Sequence, residues 1–571
     1  MKVSIAFLLA FLILTASPAP RARGADPDKT EAATRQYATA VALQNRAVYD
    51  LAAEEWTKFI NAYASDSRID RAFHYLGICY LQNNQLETAR QCFETVIKSY
   101  PRFELLEATY LHLGVTQYKL GQSGKPAMYD AAADTFGALI KNYPQGKFLP
   151  QALFNRGDCF YHRGRQAEAA RLYAQVVQQF PNDKLAADAL YALGVTQEEL
   201  NQPAEAGKTY DEFLKRYPQA GLATEVIMRR GETLFVAGQY DAAAQWFATA
   251  AARPGFALAD HATVRQAASL AQAKKYTEAA ALYAALPARF PQSRYAPSAN
   301  LLAGKCCYLA ANYAAARDLL GKALAAGGEG SFEAAHWIAR SLLKENKPTE
   351  ALAVLDRVLP LVAQAPMAAQ LWMDQADATY EILQRRGTAP NLYAGVALKF
   401  PQDPIAAQAL YMAAFSAMNQ GDYAAALRHG DAFLAVHPND ELAPDVLHVS
   451  AESNLQLGKY AEAEGLLAQA LAKFPNHPDA DAWKVRRGLA LQLQKKHRET
   501  VALLQPLLPG IRNAAAAAEA NFLIGGSQIE LQQFAEAVRA LEASLAAAPK
   551  WRQADECRLL LAQSYRQLGN V

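Results

Sequence analysis

The chain has 571 residues, 52% of them hydrophobic and 20% charged, with a formal net charge of +2. No block has the composition of a disordered tail, and the near-neutral balance argues against phosphate-driven nucleic-acid binding, which needs a basic stripe. Six cysteines and ten histidines are scattered without a CxxC pair or a metal-ligand spacing, so no metal site and no cofactor site is read from them.

The first element is apolar. Lys2 precedes the run Ile5–Ala16, interrupted only by Thr15, and Ala22-Arg23-Gly24 offers small residues at a cleavage site. The run is well short of the ~20 apolar residues that span a bilayer. It predicts a cleaved export signal over residues 1–24, with cleavage after Ala25 as the near alternative. No cysteine follows the run, so it is not a lipoprotein signal. Cleavage removes three positive charges and turns the net charge from +2 to −1. No second long apolar run occurs, so no membrane span is expected in the mature chain.

From about residue 33 onward the chain is one unit written repeatedly. A small residue recurs at Ala40, Gly77, Gly114, Gly157, Gly194, Gly231, Ala267, Gly304, Ala339, Ala376, Ala414, Ala451, Gly488, Gly525 and Ala562, mostly 37 residues apart. Prolines at 144, 181 and 218, and at 401, 438 and 475, keep the same period. Twelve residues after the marker comes another small residue, such as Ala89, Ala206 or Ala463, and sixteen after it a bulky one, such as Phe93, Tyr210 or Leu467. Within Glu441–Pro475 the apolar set Tyr460, Ala463, Leu467, Ala470, Leu471 and Phe474 steps by threes and fours, the face of an amphipathic helix. Each unit therefore predicts two short helices. Small residues let the backbones approach and bulky ones fill the groove beside the contact. No unit buries its apolar face alone, so the array is expected to stack into one elongated body.

Three places break the rhythm. Six extra residues within Gly121–Asp130 predict a rim loop. The run 325–331, AAGGEGS, replaces a closing proline with three glycines, and 384–390, QRRGTAP, degrades a turn. Looser packing or a bend is expected across 325–390. The count is fourteen helix pairs and a closing helix, Gln553–Leu568.

The segments His74-Tyr75-Leu76-Gly77, Tyr80, Ala89, Phe93, Pro101 and Tyr191-Ala192-Leu193-Gly194, Ala206, Tyr210, Pro218 resemble the tetratricopeptide repeat. The resemblance implies an all-α right-handed superhelical solenoid. The period of 37 departs from the family's usual 34. The extra residues follow the closing Tyr-Pro or Phe-Pro, which resembles the bacterial envelope branch that includes the Tol-Pal coordinator and the outer-membrane-assembly lipoprotein. Carried over, the family's concave groove falls on His74, Tyr118, Phe154, Tyr161, His162, Tyr191, Phe235, Tyr308, His336, Tyr380, Tyr411, Phe415 and His448. Rigid aromatics suit extended peptides or helices, although shielding of neighbouring repeats accounts for the same pattern. The family's carboxylate clamp has no counterpart, because its Lys and Asn positions hold pairs such as His74 and Ile78 or Phe154 and Asp158.

No HExxH, GxSxG or complete phosphate loop is present, and Gly121-Gln-Ser-Gly-Lys125 lacks both the spacing and the strand a phosphate loop requires. The expected function is a non-catalytic scaffold of the cell envelope that binds protein or peptide partners. The alternatives are an accessory that holds an exported polypeptide and, more remotely, an envelope-polymer-binding protein or enzyme. The cysteines fall mostly at small or apolar repeat positions and are expected to be buried thiols. Cys79 and Cys92 are the one pair placed for a disulfide.

Overall fold

The computed structural model describes residues 27–362 and 365–569; the export signal expected over 1–24 lies outside them. The described residues contain 29 α-helices, from Pro27–Asn45 to Ala554–Gln567, and three short 3-10 turns, with no strand among them. None of these helices is long and apolar enough to cross a membrane. The chain divides into two compact units, Met1–Lys275 and Tyr276–Val571. Each is an all-α stack of helix pairs, and all fifteen small markers fall on the first helix of a pair or on the closing helix.

The marker works by close approach. A Cβ built on Gly77 would lie 2.7 Å from the ring of Phe93, and one on Gly525 would lie 2.7 Å from Leu541. Phe93 and Leu541 are fully buried, so each contributes about 1.5–3 kcal/mol by area only while the marker stays small. The turn between the two helices is equally regular. Seven residues after the marker the chain takes positive φ, for example at Asn84, Gly164, Asn201, Ala311 and Gly458. Two positions break this series: Gly121 lies inside the helix Leu106–Gln122, and before position 383 the helix Ala368–Glu381 ends on an extended Ile382 and a 3-10 turn, Arg386–Thr388, follows. The second is the degraded turn the sequence predicts.

The linker between repeats is also built. In Phe180–Asp183 the backbone amide of Asp183 bonds Phe180 O at 3.0 Å, and the Asp183 carboxylate accepts the Leu185 amide at 2.8 Å. Asp403 accepts the Ile405 amide and Asp440 the Leu442 amide in the same way, at 3.0 and 2.9 Å. This Asx turn accounts structurally for the linker residues that lengthen the period.

One expectation is revised. The six extra residues near 121–130 do not form a rim loop. They lengthen the pair to Leu106–Gln122 and Ala127–Asn142, of 17 and 16 residues, and leave a short turn with Gly124 at φ 99°. The added residues continue the apolar periodicity, so Leu120 and Tyr129 are buried and the ring of Tyr129 packs over Gly121. Across 325–390 the turns are irregular, and Leu355 and Leu371 are fully buried. All six cysteines are buried free thiols; Cys79 and Cys92 share one core cluster without a bond.

Candidate functional site: the first-helix face

First helices of successive repeats touch one another as well as their own second helices, so their shared face gathers side chains about one period apart. Four of the thirteen expected groove residues are nearly closed to a partner. His74, Tyr118, Phe154 and Tyr191 are each 5% exposed or less. His74 Nδ1 donates to Thr109 Oγ1 at 2.8 Å, because that hydroxyl already donates to Leu105 O. Burial holds the His74 imidazole well below its usual pKa, so it is a neutral core group. Phe154 packs on the Tyr173 ring at 5.6 Å. These positions are corrected to packing residues: on a tight helix stack, the side of the helix facing the next repeat is interior.

The other nine are half-buried or exposed. In the first unit, the exposed His162 stacks on Tyr129 at 4.9 Å and its Nε2 meets the Tyr118 hydroxyl at 3.0 Å. Tyr161 donates its hydroxyl to Glu199. In the second unit, Tyr308 lies edge-on to Trp337 at 4.9 Å, and Tyr411 stacks on Phe415 at 5.8 Å. Tyr380 carries the Arg386 guanidinium over its ring at 4.9 Å. His336 Nδ1 bonds the fully buried Asp374 at 2.5 Å.

A ladder of ion pairs, unread from the sequence, runs between consecutive first helices. In the first unit Arg229 binds Glu198 at 2.8 Å and Glu225 at 3.4 Å, and Tyr191 donates to Glu225 at 2.5 Å. Burial raises the Glu198 pKa, and Arg229 opposes that shift. Arg265 forks onto both oxygens of Glu232 and covers the Phe235 ring at 4.1 Å. In the second unit Lys305 pairs with Glu333 at 2.6 Å, Arg340 with Asp377 at 2.9 Å, and Arg486 with Glu452. Partly buried, forked pairs of this kind fix register more than they add stability. One signal was available: the residue just after the marker is charged at Asp158, Glu232, Lys305, Arg340, Asp377 and Glu452.

Asp158 is the unusual member. It is buried, accepts the Tyr173 hydroxyl at 2.6 Å, and burial pushes its pKa up to about 7.

One grouping of possible ligand atoms is not legible in the sequence. Asp445 on the helix Ala443–Gln456 meets His477 and Asp479 from the following linker, with donor atoms all within 4.8 Å of one another.

Two tetratricopeptide repeat models match the chain, one over residues 128–184, 228–294 and 449–505, the other over 71–102, 108–146 and 188–220. No curated protein matches. Among solved structures, the Naa15/Naa10 complex bound to HypK-THB aligns at 14% identity over 93% of this chain and 91% of that one, with a TM-score of 0.34. YrrB, a TPR protein with an unusual peptide-binding site, aligns at 21% over 34% and 96%, TM-score 0.28. A tetratricopeptide repeat protein from Parabacteroides merdae aligns at 16% over 48% and 98%, TM-score 0.32.

Proposed function

Since the chain carries tetratricopeptide repeats, we propose that it is a non-catalytic scaffold of the bacterial cell envelope that holds protein or peptide partners on its first-helix face. One observation carries the reading. The charges of that face are largely spent on one another, in pairs such as Arg265–Glu232 and Arg340–Asp377, whereas half-buried rings such as Tyr161, Phe235, Tyr308, Tyr411 and Phe415 still offer surface. A partner gains most from rigid aromatic area that costs little ordering entropy. The envelope assignment rests on the apolar N-terminal run and the linker-lengthened repeat.

Crosslinked pull-down from the native envelope tests the function. Tyr161→Ala with Phe235→Ala in the first unit, or Tyr411→Ala with Phe415→Ala in the second, is expected to reduce recovery of a specific partner by about tenfold or more. Unchanged recovery by both double variants places binding elsewhere. A reporter fused to residues 1–30 that stays cytoplasmic removes the envelope assignment, and turnover of an envelope polymer by the purified protein removes the non-catalytic one.

A further inference from the structure

The linker 475–479 departs from its counterparts. Where other repeats place Asp183, Asp403 or Asp440 to close the turn before the next helix, this one places His477. Its Nδ1 accepts the Asp479 amide at 3.2 Å, so that nitrogen is unprotonated and its lone pair is spent on the turn; a metal at Nδ1 takes the place of that amide. The imidazole is held in plane by stacking on the buried Trp483, 4.4 Å away and tilted by 15°. Asp479 Oδ2 stands 4.0 Å from the same nitrogen, and the Asp479 side chain is 65% exposed. Asp445 completes a set of three donors within 4.8 Å.

We propose that Asp445, His477 and Asp479 form a divalent transition-metal site of the zinc class. The widest donor separation exceeds the ~3.4 Å edge of a tetrahedral site with ~2.0–2.1 Å bonds. Closing it takes rotation of Asp479, which its exposure permits. Two carboxylates neutralise a divalent ion, and the imidazole favours zinc and its neighbours over magnesium or calcium. His448, one helical turn beyond Asp445, has a buried Nδ1 with no hydrogen-bond partner, but it lies outside the set of three donors. Competition from the nearby cation is weak, because Arg486 is engaged by Glu452 and, at 3.6 Å, by Glu519. A bound ion would tie the linker to the preceding first helix and leave open positions for a ligand.

The test uses the purified protein, stripped by chelator and desalted, titrated with Zn2+ by calorimetry and with Co2+ by visible absorption. One Zn2+ per chain is expected, with Co2+ d–d bands of a low-symmetry site. His477→Ala and Asp445→Asn should each weaken binding at least about tenfold and abolish the bands. Asp479→Asn, on an exposed side chain, repeats the test without threatening the fold, and circular dichroism melts of the metal-free variants confirm that each is folded. No Zn2+ binding, or binding unchanged in folded Asp479→Asn and His477→Ala variants, overturns the site and leaves His477 as a turn cap only.

Discussion

Asp158 shows how one buried carboxyl couples to pH. Its folded pKa of about 7 lies above the unfolded value near 3.8, so between those values the folded chain holds a proton that the unfolded chain has released. By linkage, this group's contribution falls as pH rises from about 4 to about 7. Asp158→Asn keeps an acceptor for Tyr173 and removes the titration. It is expected to raise stability at pH 8 by about 2–4 kcal/mol and to flatten the decline of the melting temperature between pH 5 and pH 8. A variant that tracks the wild type across that range contradicts the assignment. His112 acts in the opposite sense: burial lowers its pKa to about 4, so its contribution is lost as pH falls below the unfolded value of about 6.5. The lining position of Asp158 was legible, since it directly follows a marker. Its burial was not, because that depends on Tyr173 arriving from the second helix.

At the scale of the element, the helix pair is written almost completely in its own sequence. The marker and the bulky residue sixteen further on are local features, and the structure packs one against the other in pairs such as Gly77 and Phe93. The turn nonetheless tolerates imperfect residues. Ala311 adopts φ 58°, where a Cβ crowds the following carbonyl at a cost of roughly 1–2 kcal/mol. Ala311→Gly is expected to stabilise the second unit by about 0.5–1 kcal/mol after the extra freedom of glycine in the unfolded chain is subtracted; denaturant melts measure it, and a lower midpoint would contradict it. The misjudged insertion belongs to this scale too. A stretch that opens Gly121-Gln-Ser-Gly-Lys-Pro looks like a loop by composition, yet Leu120 and Tyr129 keep the helical register, and buried apolar contacts outweigh the modest cost of Gly121 within a helix.

For the molecule taken unit by unit, a stack in which each repeat leans on its neighbours should lose stability locally. Gly194→Val presses a branched side chain into the fully buried Tyr210, at a cost of about 1–3 kcal/mol or more. Hydrogen exchange should then accelerate in Ala186–Glu199, Pro203–Arg216 and the adjoining repeats, and leave the second unit at wild-type protection; uniform loss of protection would show a single cooperative body instead. The sequence by itself determined the period, the fifteen small markers, the two-helix unit and the places where the rhythm breaks. These follow from contacts made within about twenty residues, whose spacing must be repeated for every unit to fold. Only the tertiary structure decided which candidate residues are closed off, such as His74 and Phe154, and which partners meet across a repeat, such as Arg265 with Glu232 or Asp445 with His477 and Asp479. Those contacts join residues roughly 30 or more positions apart. Their geometry depends on how one repeat is set against the next, which no local pattern specifies.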